Sequence, residues 1–337
     1  MILLSFDFHY IDDPEKYPNG GVYPVSVENF EKQLDKVAKH FKFVSQKEIL
    51  DAIEGKGQLP EKCCLLTFDD GLRSQYEKAV PILLKKKIPA VFFINTMPTM
   101  ENRVCLVHKI HWLRSSLPRE VFLGELREAL ISHGIRLDFS ESFFEKAQAK
   151  HRYDNKEDAA IKFLLNYWMD NDVKREIVDD IFKKYIKDEK VFAKAFYMDK
   201  KQIKKLAKMG FVGGHTYDHE IIKSKSYKEI LENIALNKNN LESITGEEIY
   251  SFAYPFGSKF DVTEEIVRAC RENGYKIGIT KERAFNTTLE EPLLLARLDT
   301  NDIMGGKRPM FSVDIHGNLE ITDKQLTEKR IAFFEEK

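Results

Sequence analysis

Cysteine is scarce and unpatterned in this chain. Cys63, Cys64, Cys105 and Cys270 make no CxxC pair and no disulfide-like framework. That excludes a disulfide-stapled scaffold and suits reduced thiols in a cytoplasmic protein. Long apolar runs are missing too. No stretch approaches the roughly 20 residues of a membrane-spanning helix. The opening MILLSFDFHYIDD is apolar for only about four residues and has no basic segment, unlike a secretory signal. The expectation is a cytoplasmic protein, with a station at the inner membrane face left open. An excess of one charge is also lacking. Lys and Arg number 53 against 54 Asp and Glu, for a net charge of −1. With the two signs mixed along the chain, nothing pulls it toward nucleic acid or anionic lipid. Internal repeats and low-complexity tracts are absent.

What remains is a globular composition. The 337 residues are 43% hydrophobic and 32% charged, enough for one large α/β domain or two modest ones. Short apolar runs read as strands at Ile2–Phe6, Cys63–Phe68, Ala90–Ile94, Phe211–Gly213, Tyr250–Tyr254, Lys276–Thr280 and Leu294–Arg297. Amphipathic segments lie between them. Phe30, Leu34, Val37 and Phe41 recur at helical spacing behind a Ser26 cap, and Ser226 with Glu229 makes a capping box on a helix closed by Gly246. This β-α-β-α rhythm predicts a parallel sheet or barrel, in which chemistry gathers at the C-terminal ends of the strands. The rhythm breaks between residues 102 and 196, where only helical patterns occur. The expected organisation is therefore a barrel from 1–101 and 197–320, a helical insertion over 102–196, and a C-terminal helix or tail over 321–337. The insertion is expected over the substrate groove or in self-association, which leaves a homo-oligomer open.

Two stretches carry chemistry. In LLTFDDGLRSQY (65–76), Asp69 and Asp70 stand side by side just past a strand, followed by Gly71. In GFVGGHTYDHE (210–220), His215 and His219 are four apart, so on a helical turn both imidazoles would face one metal. Either element alone is commonly bland: DDG is often a capped turn. Together, each after a strand, they suggest two histidines and one aspartate around a cation, with a fourth position for water, as in catalytic zinc sites. One aspartate would bind the metal and its neighbour would take a proton from the water.

TFDDG (67–71) and HTYDH (215–219) resemble the first two motifs of the polysaccharide deacetylases, the NodB-homology or carbohydrate esterase family 4 enzymes, and FAYPFG (252–257) resembles the third. The resemblance implies a distorted (β/α) barrel, usually of seven strands, and a metal-dependent amidase that removes N-acetyl groups from amino sugars. It implies Asp69 as general base, with Asp70, His215 and His219 as metal ligands. Tyr254, Pro255 and Phe256 would line the substrate groove, and the Tyr254 backbone N–H would meet the oxyanion. Thr67 would precede the base without a direct role.

Three departures matter. Ala253 stands where the family's third motif usually carries an arginine that pairs with the base. Arg297, in ARLDTND, resembles an arginine that members with FAYP motifs carry on a late strand, and is assigned to Asp69; a surface arginine is the alternative. The acid that protonates the leaving amine is assigned to His9, in SFDFHYID, by likeness to members with a circularly permuted arrangement; His316 is the late alternative. Asp7 would orient His9 or touch the metal site; a capped strand end is the alternative. Finally, Asp70 and His215 are 145 residues apart, a gap the insertion explains. His108 and His111 are expected on a helix surface, and Trp112 and Trp168 in packing.

The resulting expectation is a Zn²⁺-dependent N-deacetylase, with Co²⁺ or Ni²⁺ as alternative metals. Its partner would be an N-acetylated sugar or glycan, and no nucleic acid. The alternatives are a deformylase or other amide hydrolase on a small molecule, and a glycan-binding protein without turnover.

Overall fold

β-Branched and aromatic residues at alternating positions build the first strands, and burial makes them a barrel. A computed structural model describes residues 1–135, 140–150, 156–169, 171–313 and 319–321. The strands of its main sheet are β1 (Ile2–Phe8), β2 (Lys42–Phe43), β3 (Lys62–Asp69), β4 (Ala90–Ile94), β5 (Val212–Gly214), β6 (Ser251–Ala253), β7 (Ile277–Ile279) and β8 (Leu298–Asp299). The sheet runs β7-β6-β5-β4-β3-β1-β8, with β2 beside β3, and every pairing in it is parallel. The segment before β8 closes the circle. Leu295 accepts from the Thr280 N–H at 2.9 Å and donates to the Gly278 carbonyl at 2.9 Å, while Leu298 and Asp299 pair with Phe6 and Asp7. Seven strands in series thus form a distorted (β/α) barrel.

Alternation sorts the side chains by face. Phe6, Phe8, Leu66, Phe68 and Phe92 join the layer between strands and helices, where the Phe68 and Phe92 rings stack at 4.5 Å. Leu3, Cys63, Leu65, Val91, Phe93, Ile277 and Ile279 form a second, interior cluster. On that interior face β1 continues as Ser5 and Asp7, and β3 as Thr67 and Asp69, all buried. The barrel lumen therefore changes from apolar to polar toward the C-terminal ends of its strands.

Helices α1 (Val27–Ala38), α2 (Gln46–Ile53), α3 (Val80–Lys86) and α4 (Met97–Glu101) follow the early strands. Ser26 caps α1, and Phe30, Leu34 and Val37 are its buried stripe. A second compact unit comprises Tyr17–Tyr23 and Val104–Phe192. It holds α5 (Leu106–Ser116), α6 (Arg119–Ser132), α7 (Glu141–Lys150), α8 (Lys156–Phe163), α9 (Asn171–Tyr185) and the first half of α10 (Glu189–Phe196), with no strand among its described residues. Lys109 is buried there and is held by Asp179 at 2.7 Å and Glu189 at 2.9 Å. Trp112 packs edge-on against Phe182 and Phe192. The barrel unit resumes with α11 (Lys200–Ala207), α12 (Tyr227–Thr245) and α13 (Glu264–Glu272). Ser226 and Glu229 make the capping box of α12, and Gly246 ends it in the left-handed region. No helix of the described residues is long and apolar enough to cross a membrane.

Several readings change. The last strand is not Leu294–Arg297. Pro292–Leu294 forms a 3-10 turn, Leu295 makes only an isolated bridge with Ile279 and the Arg297 N–H donates to the Glu282 carbonyl, so regular pairing begins at Leu298–Asp299. The two-residue β2 and the part of 17–23 in the helical unit carried no pattern long enough to read. His108 is fully buried rather than on a helix surface. Residues 322–337 and His316 lie outside the described residues.

Gly278 permits the closure. A Cβ there would lie 2.3 Å from the Leu293 carbonyl oxygen and 2.8 Å from its carbon. Gly278→Ala is expected to cost roughly 1–3 kcal/mol through overpacking, read as a lower urea midpoint; an unchanged midpoint would show that the closing segment is loosely held.

Candidate active site

Parallel strands deliver their C-terminal ends to one edge, and the chemistry-bearing residues collect there. Asp69 is the last residue of β3, and Asp70 follows with φ at 81°. That left-handed backbone turns the second carboxylate away from the first, and Gly71 continues the turn with φ at 65°. Gln75, fully buried, holds the turn. Its amide donates to the Asp69 carbonyl at 2.6 Å and the His9 carbonyl at 2.8 Å, and it accepts from the Leu72 N–H.

Asp69 is gripped by Arg297. The guanidinium donates to both carboxylate oxygens, each at 2.7 Å, and to the Thr67 hydroxyl at 3.2 Å. Thr67 is thus a part of the clamp rather than a bystander. Both charged partners are almost fully buried. Burial by itself would raise the Asp69 carboxyl, but the Arg297 charge and its two hydrogen bonds outweigh it and hold the group well below the ordinary carboxylate range. Arg297 lies just before β8 and contacts Asp69, so the late arginine supplies the cation that Ala253 does not. Asp7, opposite Thr67 in the ladder, lies 3.6 Å from Arg297 Nη2 and is raised by burial in spite of that charge.

His9 sits just past β1 with its side chain 30% exposed. Its Nε2 is 3.8 Å from Asp69 Oδ2 and its Nδ1 is 3.6 Å from Asp7 Oδ2. Asp7 therefore lies beside the imidazole, as an orienting carboxylate would.

The second motif is a loop and not a helical turn. Thr216 and His219 both have positive φ, at 57° and 60°. The rings still meet, with centroids 5.0 Å apart, because the left-handed residues fold the loop back. His215 Nε2 and His219 Nε2 lie 3.6 Å and 3.3 Å from Asp70 Oδ1. Ligand atoms of Asp70, His215 and His219 all fall within 4.8 Å of one another. The His215 Nδ1–H donates to the Ala253 carbonyl at 2.7 Å, which leaves the Nε2 lone pair facing the cluster. That Nε2 is buried and makes no hydrogen bond. The donor set of two imidazoles and one carboxylate suits zinc.

The loop is held by two asparagines that sequence reasoning missed. Asn237, fully buried on α12, accepts from the His215 N–H at 3.2 Å and donates to the Thr216 and Ile94 carbonyls. Asn95 donates to the His215 and Thr216 carbonyls. A signal existed: Asn237 occupies the apolar stripe of Ile230, Ile234 and Leu241.

The third motif behaves differently from the expectation. The Tyr254 N–H is already committed to the Ile279 carbonyl at 3.1 Å, and its hydroxyl donates to the Leu293 carbonyl at 2.9 Å. Tyr254 and Pro255 are buried, whereas Phe256 is 39% exposed and its ring meets His219 edge-on at 5.1 Å. The Phe256 N–H donates to no group among the described residues, and its φ of 61° sets it apart from the ladder.

Comparison with known proteins gives a consistent picture. A sequence profile described as polysaccharide deacetylase matches residues 56–118 and 163–278. The match takes in the DDG, HTYDH and FAYPFG stretches and leaves out His9 and Arg297. The poly-beta-1,6-N-acetyl-D-glucosamine N-deacetylase of Staphylococcus aureus strain MSSA476 is 43% identical over 75 residues, 22% of this chain and 26% of that protein. The chain thus aligns with about a quarter of the length of that curated relative. Among solved structures, the Streptococcus pyogenes deacetylase PplD in complex with acetate aligns at a TM-score of 0.54 and 17% identity, covering 88% of this chain and 90% of that one. IcaB from Ammonifex degensii aligns at 0.54 and 20% identity, covering 89% and 91%. At these identities the structural likeness speaks for the fold.

Two outcomes follow from the geometry. Arg297→Gln strands two buried carboxylates and should lower stability by about 3–5 kcal/mol, while adding Asp69→Asn should recover part of that loss in the urea midpoint. Asn237→Asp keeps volume and acceptor but loses the donor; zinc affinity, titrated with a competing chelator dye, should weaken by about 10–100-fold. Unchanged affinity would remove Asn237 from the support of the ligand loop.

Proposed function

This chain belongs to the polysaccharide deacetylase family, and on that premise we propose that it hydrolyses the N-acetyl group of an amino sugar within a polysaccharide or its glycan precursor. The observation that carries the reading is the division of labour between adjacent aspartates: Asp70 lies with His215 and His219, while Asp69 is clamped by Arg297. Asp70, His215 and His219 would hold a divalent cation, zinc before cobalt or nickel. Bound there, the cation would supply Lewis acidity for the amide carbonyl and for a water.

The chain's own residues do the rest. Asp69, kept ionised by Arg297, takes the proton from the attacking water. An ion pair this tight lowers its basicity, but it also fixes the carboxylate in one orientation. His9 lies on the solvent side of Asp69 and hands a proton to the departing nitrogen, so that acetate and a free amine leave. Asp7 orients the His9 ring from behind. The Phe256 N–H replaces that of Tyr254 as the donor for the developing oxyanion, since it is uncommitted and belongs to the residue whose ring packs on His219. Phe256 also presents an exposed aromatic face to a sugar ring, with Tyr254 and Pro255 supporting its turn from the buried side.

The binding-only alternative drew its ground from Ala253. Arg297, in contact with Asp69, removes that ground. An amide hydrolase releasing formate from a small molecule remains the rival within hydrolases. Acetate and formate should be quantified after incubation of the zinc-loaded protein with N-acetylglucosamine oligomers and with N-formyl analogues. Acetate release is expected, and Asp69→Asn should lower kcat by about 10²–10⁴-fold; it also leaves Arg297 buried without its main partner, so its melting temperature should fall and activity is compared where both proteins are folded. Formate from small amides without acetate from any glycan would replace the proposal with the rival. His9→Gln should lower kcat more than it changes KM; equal activity in that variant would move the acid role elsewhere.

A further inference from the structure

The same edge of the barrel carries a feature the reaction does not use. A cleft of about 440 Å³ lies beside the turn that follows the paired aspartates, within the roughly 300–1,000 Å³ of small-molecule sites. Its wall is tied to that turn. Leu72 pairs antiparallel with Tyr197, the Met198 N–H donates to the Gly71 carbonyl at 2.9 Å, and the Thr99 hydroxyl donates to the Met198 carbonyl at 3.2 Å. Pro98, Ala193 and Met198 give it an apolar lining, and all of its residues belong to the barrel unit.

The charge of the cleft is one-sided. Arg73, Lys194, Lys200 and Lys201 line it, against a single acid, Asp199. Asp199 is occupied: its carboxylate accepts from the Gln202 N–H at 2.8 Å as the cap of α11. Lys194, Lys200 and Lys201 are exposed and form no ion pair among the described residues. Arg73 is 25% exposed and is held in place by the Lys194 carbonyl at 2.7 Å, with Glu77 at 3.8 Å. Helix stability does not account for the lysines. Lys200 and Lys201 occupy the first two positions of α11, the positive end of the helix dipole, where cations are unfavourable. Four cations with one acid in the lining give the cleft a net positive charge that favours an anion.

We propose that this cleft is an anion subsite of the glycan-binding surface. It takes a carboxylate or phosphate group borne by a sugar near the N-acetylated unit, and so makes the substrate an acidic glycan. The inference rests on the deacetylase reading for its ligand class. The cations bind the acid group, the apolar wall meets the sugar ring, and the link from Gly71 to Met198 joins the subsite to the turn that carries Asp69 and Asp70.

Calorimetric titration of the full chain tests it, with three oligosaccharides of matched length as probes: a neutral N-acetylglucosamine oligomer, an oligohexuronate and a phosphodiester-bearing glycan. At about 50 mM salt an acidic probe should bind at least about 10-fold more tightly than the neutral one, and the advantage should shrink at about 300 mM. The preferred acidic probe identifies carboxylate or phosphate as the source. Lys194→Ala/Lys200→Ala/Lys201→Ala should abolish the advantage and leave the neutral probe's Kd unchanged. Lys204→Ala/Lys205→Ala, on the same helix but outside the cleft, should change every Kd by less than about 2-fold. Should the triple variant lose its fold, Lys194→Glu alone gives the same reading. Equal binding of acidic and neutral probes overturns the inference, as does an advantage that survives in the triple variant. Acetate release is assayed separately. Its absence from every glycan would sink the deacetylase reading while the titration still reports on the cleft.

Discussion

A guanidinium and a carboxylate, each cut off from water and joined by two parallel hydrogen bonds, set the terms for this site. Asp69 ends β3 and Arg297 precedes β8, 228 residues apart in the chain, and each would be intolerable inside the barrel alone. Their pairing requires β8 to lie beside β1 and the preceding segment to reach β7, so the ion pair and the closure of the barrel depend on each other. Thr67 and Asp7 complete the environment from neighbouring strands. The same contact that makes the barrel interior tolerable holds Asp69 ionised and oriented beside the Asp70, His215 and His219 cluster.

Around that centre the backbone is forced into unusual conformations. Asp70, Thr216, His219 and Phe256 have positive φ without being glycine, and all four belong to the turns of the three motifs. Such residues carry a local cost that the surroundings must offset. The offset is visible in the amides. Gln75, Asn95 and Asn237 each offer a donor and an acceptor on a neutral group, and they satisfy the backbone groups that the turns leave unpaired. A charged residue could not do this inside the fold without adding its own desolvation penalty.

Polar and apolar demands are separated along the strands. The lower lumen is filled by Leu3, Cys63, Leu65 and Ile277, and the upper lumen by Asp7, Thr67, Asp69 and Arg297. This gradient allows one fold to have a dry core and a reactive rim. The basic cleft near Met198 lies on that rim, tied by backbone hydrogen bonds to the turn that carries the aspartates. Catalytic and recognition surfaces can thus diverge through loop composition while the strands remain constant.

The sequence by itself determined the strand-helix rhythm, the capping of α1 and α12, and the local motifs, since periodicity and caps act over a few residues. Asp69, Asp70 and His215 were legible because each is next to a glycine or ends an apolar run, and His219 because it stands four residues from His215. Tertiary structure alone decided what depends on distant segments meeting. It carried Arg297 to Asp69 rather than to solvent, set Asp7 beside His9, committed the Tyr254 N–H to Ile279, and made Asn237 a support of the ligand loop. It also moved the last strand past Arg297 and replaced the supposed helical turn at His215 by a loop of left-handed residues. A side chain's neighbours across a barrel, and the hydrogen bonds left over after the strands have paired, are properties of closure, and no short window of sequence contains them.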